Sequence, residues 1–169
     1  RLMHWNIVCG AIGHGFGNGT IWKLASGWKQ QLDSPGSQAL GRMSAIYRDR
    51  PWWRLVPEQP KAGYFIGEPL RIAGAETFIL SGQEHYDNVL SLDEARGEKF
   101  VAAALTPDGR LLMAYFPHGY SKNGIEVDMT KLSGPSVAKW IDPHSAVEKP
   151  IGNTPLPNQG TRVFAPPGT

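Results

Sequence analysis

Gly10-Ala11-Ile12-Gly13-His14-Gly15-Phe16-Gly17-Asn18-Gly19-Thr20-Ile21-Trp22 is the stretch around which the chain reads as organised. Glycines at this density let the backbone take positive φ angles and come close to a neighbour or ligand. Ala11-Ile12 reads as a very short buried strand. Its end, Gly13-His14-Gly15-Phe16-Gly17-Asn18, opens into a pocket, the place where α/β barrels keep their chemistry. A phosphate loop is excluded, because no Gly-Lys-Ser/Thr follows the glycines.

Upstream, residues 2–9 are nearly all apolar and fit the last turns of a buried helix, with Gly10 as the residue that ends it. Downstream, residues 20–33 read as a long, partly exposed loop with one short turn. The clearest helix follows. Ser34 suits the N-cap and Pro35 the first helical position, while Leu40, Met43, Ile46 and Tyr47 fall on one face. Arg48 and Arg50 favour the dipole of its last turn, and Pro51 stops it. Trp52-Trp53-Arg54-Leu55-Val56-Pro57 reads as extended, an aromatic anchor for the helix end rather than a binding platform.

Glycines and prolines at 60, 63, 67, 69, 74 and 82 break any long element in residues 60–98, a connecting segment. Thr77–Leu80 is a candidate strand there, and Leu92–Arg96 a candidate helical turn. From Lys99 the period changes to two. Phe100–Leu105 and Leu111–Phe116 are strands joined by Thr106-Pro107-Asp108-Gly109-Arg110, with Pro at the second turn position and Gly in the left-handed one. Gly124–Met129, Ser136–Asp142 and Thr161–Phe164 complete a small antiparallel sandwich. The expected fold class is thus α/β plus all-β, with residues 1–59, 60–98 and 99–169 as terminal α/β segment, connector and β module.

Composition narrows the function. A net charge of +2 with scattered Lys and Arg gives no nucleic-acid stripe. No apolar run approaches the ~20 residues that span a bilayer, so no membrane role is expected. Cys9 is the only cysteine, which removes a disulfide framework within the chain and a Cys-rich zinc site. Within Asn6-Ile7-Val8-Cys9 it reads as a small buried apolar residue. The five histidines have no ligand spacing, so no metal or other cofactor is expected. Arg1 opens directly into a helical pattern without an initiator Met or signal sequence, and the chain is expected to be one end of a longer protein.

Gly13-His14-Gly15-Phe16-Gly17, Ile21-Trp22, Leu32-Asp33-Ser34-Pro35-Gly36 and Arg50-Pro51-Trp52-Trp53-Arg54-Leu55-Val56-Pro57-Glu58-Gln59 follow one another in order. This series resembles the C-terminal end of the apiosidase-like glycoside hydrolases. Their usual pattern is Gly-His-Thr-Tyr-Gly, Ile-Trp, Leu-Asp-x-Pro-Gly and Arg-Pro-Trp…Leu-Val-Pro-Asp-Gln. The second half resembles the β-sandwich, labelled collagen-binding, that commonly follows. It matches at Thr106–Arg110, Ala114–Gly119, Val127–Gly134, Lys139–Pro143 and Phe164–Gly168. The resemblance covers most of the chain except residues 60–98. It implies the C-terminal portion of a (β/α)8 barrel, with residues 10–17 as its eighth strand and loop and 35–50 as its eighth helix. It also implies a secreted or periplasmic protein whose partner is a carbohydrate, through the parent enzyme. Phe16 and Gly15 stand where Tyr and Thr are usual, and each change removes a hydroxyl.

Glycoside hydrolysis by the usual route needs two carboxyl groups ~5–10 Å apart. The first half offers Asp33, Asp49, Glu58 and Glu68, none of which stands out as an acid/base pair. Under the resemblance the catalytic pair precedes Arg1, and no residue of this chain is assigned a catalytic role. His14 is the best site candidate. It can hydrogen-bond a sugar hydroxyl or orient a carboxylate, or satisfy a carbonyl in a tight turn, and the motif context favours the pocket. Asn18 can read hydroxyls there, and Trp22 can stack on a sugar or serve the core. Tyr115, His118 and Tyr120 form a second, weaker candidate face. Two other readings stand beside the hydrolase. One is a non-enzymatic carbohydrate- or collagen-binding or structural module. The other is self-association through an incomplete barrel.

Overall fold

A computed structural model describes residues 2–58, 64–65, 68–69, 79–81, 101–117, 124–153 and 155–167. It is a mixed α/β structure of a few helices and small antiparallel sheets. Helix α1 (Leu2–Val8) leads to α2 (Gly19–Trp22), a 3-10 turn at Trp28–Asp33, α3 (Pro35–Tyr47) and a 3-10 turn at Trp52–Arg54. The strands are β1 (Val56–Pro57), β2 (Tyr64–Phe65), β3 (Glu68–Pro69), β4 (Ile79–Ser81), β5 (Ala102–Leu105), β6 (Leu112–Tyr115) and β7 (Ile125–Asp128). Then come β8 (Lys139–Ile141), β9 (Glu148–Pro150) and β10 (Thr161–Phe164).

The end of α1 is set by Gly10. Its N–H donates to Ile7 O at 3.1 Å and that of Ala11 to Asn6 O at 2.8 Å, the paired bonds of a Schellman motif. The residue at the turn must be left-handed, and Gly10 has φ +92°. Ser34 caps α3 through extended backbone, with Pro35 next, while its hydroxyl meets that of Ser37 at 3.1 Å. Arg50 turns back from beyond the helix to bond Ile46 O and the Glu148 carboxylate.

Two three-stranded sheets form the body, in the orders β1-β5-β6 and β10-β7-β4, with β2-β3 and β8-β9 as separate pairs. The β5–β6 hairpin closes as the sequence dictates. Gly109 N–H donates to Thr106 O at 2.8 Å, and Gly109 takes φ +67°. Strand alternation then sorts the side chains into two layers. Val101, Ala103 and Leu105 join Ile125, Val127, Met129 and Leu156 in one core, so both sheets supply it. Ala102 and Ala104 point the other way, against Val8 and Leu55, with Trp5, Trp52, Met113 and Tyr115 around them. Alanines on that face let α1 lie close to the sheet. A third cluster of Ile7, Ile46 and Tyr47 ties α1 to α3, with Met113 and Ile141 against it. The helical segment is therefore a layer on the outer face of β5–β6, and the Val56–Pro57 strand pairs directly with β5.

Several expectations are corrected. Ala11-Ile12 is not a buried strand: residues 11–18 lie outside any helix or strand, and Ile12 is 99% exposed. A strand needs a ladder partner, and no described strand lies beside this segment. Among the described residues no barrel is formed, and what precedes residue 56 is helical or irregular. Trp52–Arg54 is a 3-10 turn rather than extended, and the 20–33 loop holds both α2 and a 3-10 turn. Cys9, expected to be buried, is exposed just past the end of α1. Within the connector, Ile79–Ser81 does form a strand, paired with β7, while the Leu92–Arg96 turn lies outside the described residues. Ser136 makes a bridge to Leu156 ahead of the shorter strand β8.

Candidate functional site

The glycine-rich segment leaves α1 on the surface and reaches α3 through one contact. Phe16 lies over Gly36 so closely that a Cβ built there would stand 2.1 Å from Phe16 Cζ. At its other end the segment passes Trp52-Trp53. Ile7, Gly10, Ala11, Ile12, Trp52, Trp53 and Leu55 line one shallow apolar groove of about 80 Å³. Residues some forty positions apart in sequence, Ile12 and Trp52, thus meet at the same depression.

The two tryptophans divide their roles. A 3-10 turn advances ~120° per residue, so neighbours on it cannot face the same way. Their rings stand at 84° with centroids 6.2 Å apart. Trp52 packs inward on both helical clusters, and Trp53 is 67% exposed beside Ile12. The anchor reading holds for Trp52 only. Trp53 is the residue sequence reasoning missed, because an adjacent pair looks equivalent until the turn type is known.

His14 is half-buried, and its Nδ1 lies 3.0 Å from Asn6 Nδ2. An amide nitrogen only donates, so with this assignment Nδ1 accepts and the ring proton sits on Nε2. Asn6 is thereby an orienting partner for His14, brought near by the chain reversal at Gly10. Asn18 is the N-cap of α2. Its Oδ1 accepts from Thr20 N–H at 3.1 Å and Ile21 N–H at 3.2 Å, which uses its carbonyl in local structure. Trp22 is 76% exposed. None of the three lines the groove.

The carboxylates do not assemble an acid/base pair at the groove either, since no Asp or Glu lines it. Asp33 and Asp49 are exposed, and the Asp33 carbonyl accepts from Gln38 Nε2 at 3.1 Å. Glu58 is buried just after β1, where its N–H bonds Ala103 O at 2.9 Å. The Glu68 side chain lies outside the described residues. Although Cys9 as a residue is exposed, atoms packed around its sulfur raise the thiol pKa to about 11, so at neutral pH it is protonated and a poor nucleophile. No group of three His, Cys, Asp or Glu among the described residues could hold a metal ion. Tyr115, offered as part of a loop face, instead packs its ring against His4 and Trp5, and His118 and Tyr120 lie outside the described residues.

Among the described residues no helix is long and apolar enough to cross a membrane. Comparison with family models, curated proteins and solved structures finds no match to this chain.

Proposed function

We propose that the chain is the C-terminal part of an apiosidase-like glycoside hydrolase, carrying the end of a (β/α)8 barrel and its accessory β-sandwich. The observation that supports this is that Trp52-Trp53, within one resembling segment, meets Gly10-Ala11-Ile12, the residues that lead into another at Gly13–Gly17, at one groove. In a complete enzyme that surface lies beside the sugar pocket, with His14 as a hydrogen-bonding wall and Trp53 as an apolar face for a pyranose. The catalytic pair belongs to residues that precede Arg1, and residues 1–169 alone are not hydrolytic. Secretion or periplasmic location follows from the same reading.

The test is the translated reading frame upstream of Arg1. The proposal expects a continuous frame whose strand-like segments end in two carboxylic residues. A start codon and signal peptide directly ahead of Arg1 would sink it.

A second reading, a non-enzymatic carbohydrate- or collagen-binding module, is favoured by one observation: the two sheets share a core of their own, from Val101 to Leu156. Glycan and collagen screens on residues 1–169 separate the two. Binding that survives loss of Trp53 and His14 favours the module.

A further inference from the structure

His4 sits at the seam between the helices and the sheet. It is only 6% exposed. Its ring stacks on Tyr115 of β6 at 5.1 Å and 19°, and tilts against Tyr47 of α3 at 5.8 Å. Its Nδ1 lies 3.2 Å from the Tyr47 hydroxyl. One side chain on α1 therefore touches both α3 and the outer face of the sheet. The clusters on this side of β5–β6 contain the helical residues, whereas the core between the two sheets takes no member from residues 2–55. None of the three seam residues, His4, Tyr47 and Tyr115, belongs to that inter-sheet core.

We propose that His4 is an acid-sensitive latch: protonation of its buried ring releases the α1–α3 layer from the face of β5 and β6 while the two-sheet core stays folded. The physical basis is the cost of a charge placed among apolar and aromatic groups without a counter-charge. The titratable and charged groups of the described residues that bear on this seam are Tyr47 with Arg50 just beyond α3, Tyr115 on β6 and His144 in the β8–β9 turn. Among the described residues no carboxylate bears on His4. Glu148 on β9 is engaged by Lys139 and Arg50.

Burial, above all, holds the His4 pKa down to about 4 against an ordinary 6.5. The released ring titrates near 6.5, so between pH 6.5 and 4 the released state binds more protons than the docked one. Docking is thus complete above pH 6.5, weakens as pH falls through this window, and loses nothing more to His4 below about 4. One proton makes the release constant rise up to tenfold per pH unit in that interval.

The experiment is hydrogen exchange by mass spectrometry on residues 1–169, comparing the unaltered chain with His4→Asn at pH 7 and pH 4.5. Asn keeps a polar partner for Tyr47 without a titrating ring. At pH 4.5 the unaltered chain is expected to lose protection in 2–8 and 35–47 while 125–128 and 161–164 keep theirs, and H4N to keep protection throughout. Simultaneous loss in all four segments, or loss in H4N at the same pH, overturns the proposal. Should H4N fail to fold, the ring proton shifts of His4 in the unaltered chain decide: a docked ring titrating near 6.5 overturns the latch, and one silent until release supports it.

Discussion

Phe16 and Gly36 occupy space that only a glycine leaves open, because an added Cβ at 36 would meet the ring at 2.1 Å. Gly36 lies in the first turn of α3, where alanine is otherwise favoured by about 1 kcal/mol. Gly36→Ala therefore trades helix propensity against displacement of Phe16. In a double-mutant cycle followed by urea unfolding, Gly36→Ala is expected to be neutral or destabilising alone. It should become stabilising by about 0.5–1 kcal/mol in a Phe16→Ala background. Equal effects in both backgrounds would show that the ring does not use this gap.

Ala104 is fully buried where α1 and Leu55 press on β5. Ala104→Leu is expected to destabilise by about 1–3 kcal/mol through overpacking. Val163→Ala, at an exposed position on β10, should stay within about 0.5 kcal/mol. The difference is read from denaturant midpoints, and equal midpoints would mean the helical layer does not rest on this face.

Asp108 organises the hairpin turn. The Thr106 hydroxyl, the Arg110 N–H and Arg54 hold its pKa down to about 2, against the desolvation that opposes them. Arg54 approaches at 2.8 Å, which joins the Trp52–Arg54 turn to the β5–β6 turn. A lowered carboxylate pKa means that the unfolded chain takes up its proton first. This stabilisation is full above the ordinary value of 3.8 and disappears as pH falls through about 2. Thermal melts from pH 5 to 2 should show a smaller drop for Asp108→Asn than for the unaltered chain.

Arg50, Glu148 and Lys139 form a partly exposed network between the end of α3 and the β8–β9 pair. Lys139, then Arg50, keeps the Glu148 carboxyl below its usual range. Glu148→Gln should cost under about 1 kcal/mol and less at high salt, since such pairs gain little in water. A salt-independent loss of several kcal/mol would show the pair to be a buried one in solution.

Local chemistry was legible in the sequence. Gly10 as a helix terminator, Ser34-Pro35 opening and Pro51 following α3, and the Thr106–Arg110 turn need only nearby residues, and each takes the position read for it, although the Ser34 hydroxyl bonds Ser37 rather than a helix N–H. Relationships set by distant partners were not. Ala11-Ile12 is apolar enough for a strand, but a strand exists only where another can bond it. Trp52 and Trp53 are identical in sequence but differ in burial, the first half-buried and the second exposed, a consequence of turn geometry. His4 carries no local sign that two tyrosines, 43 and 111 residues further on, enclose it. Among the site residues, His14 gained an orienting partner in Asn6, while Asn18 turned out to cap a helix.

The most direct measurement is hydrolysis of a panel of 4-nitrophenyl glycosides by the protein translated from the whole reading frame that contains these residues, with and without His14→Ala. The account predicts turnover by the whole protein, none by residues 1–169, and a kcat/KM about tenfold lower for His14→Ala, the worth of one hydrogen bond in the pocket. Turnover by residues 1–169 alone, or an unchanged kcat/KM for His14→Ala, would contradict it.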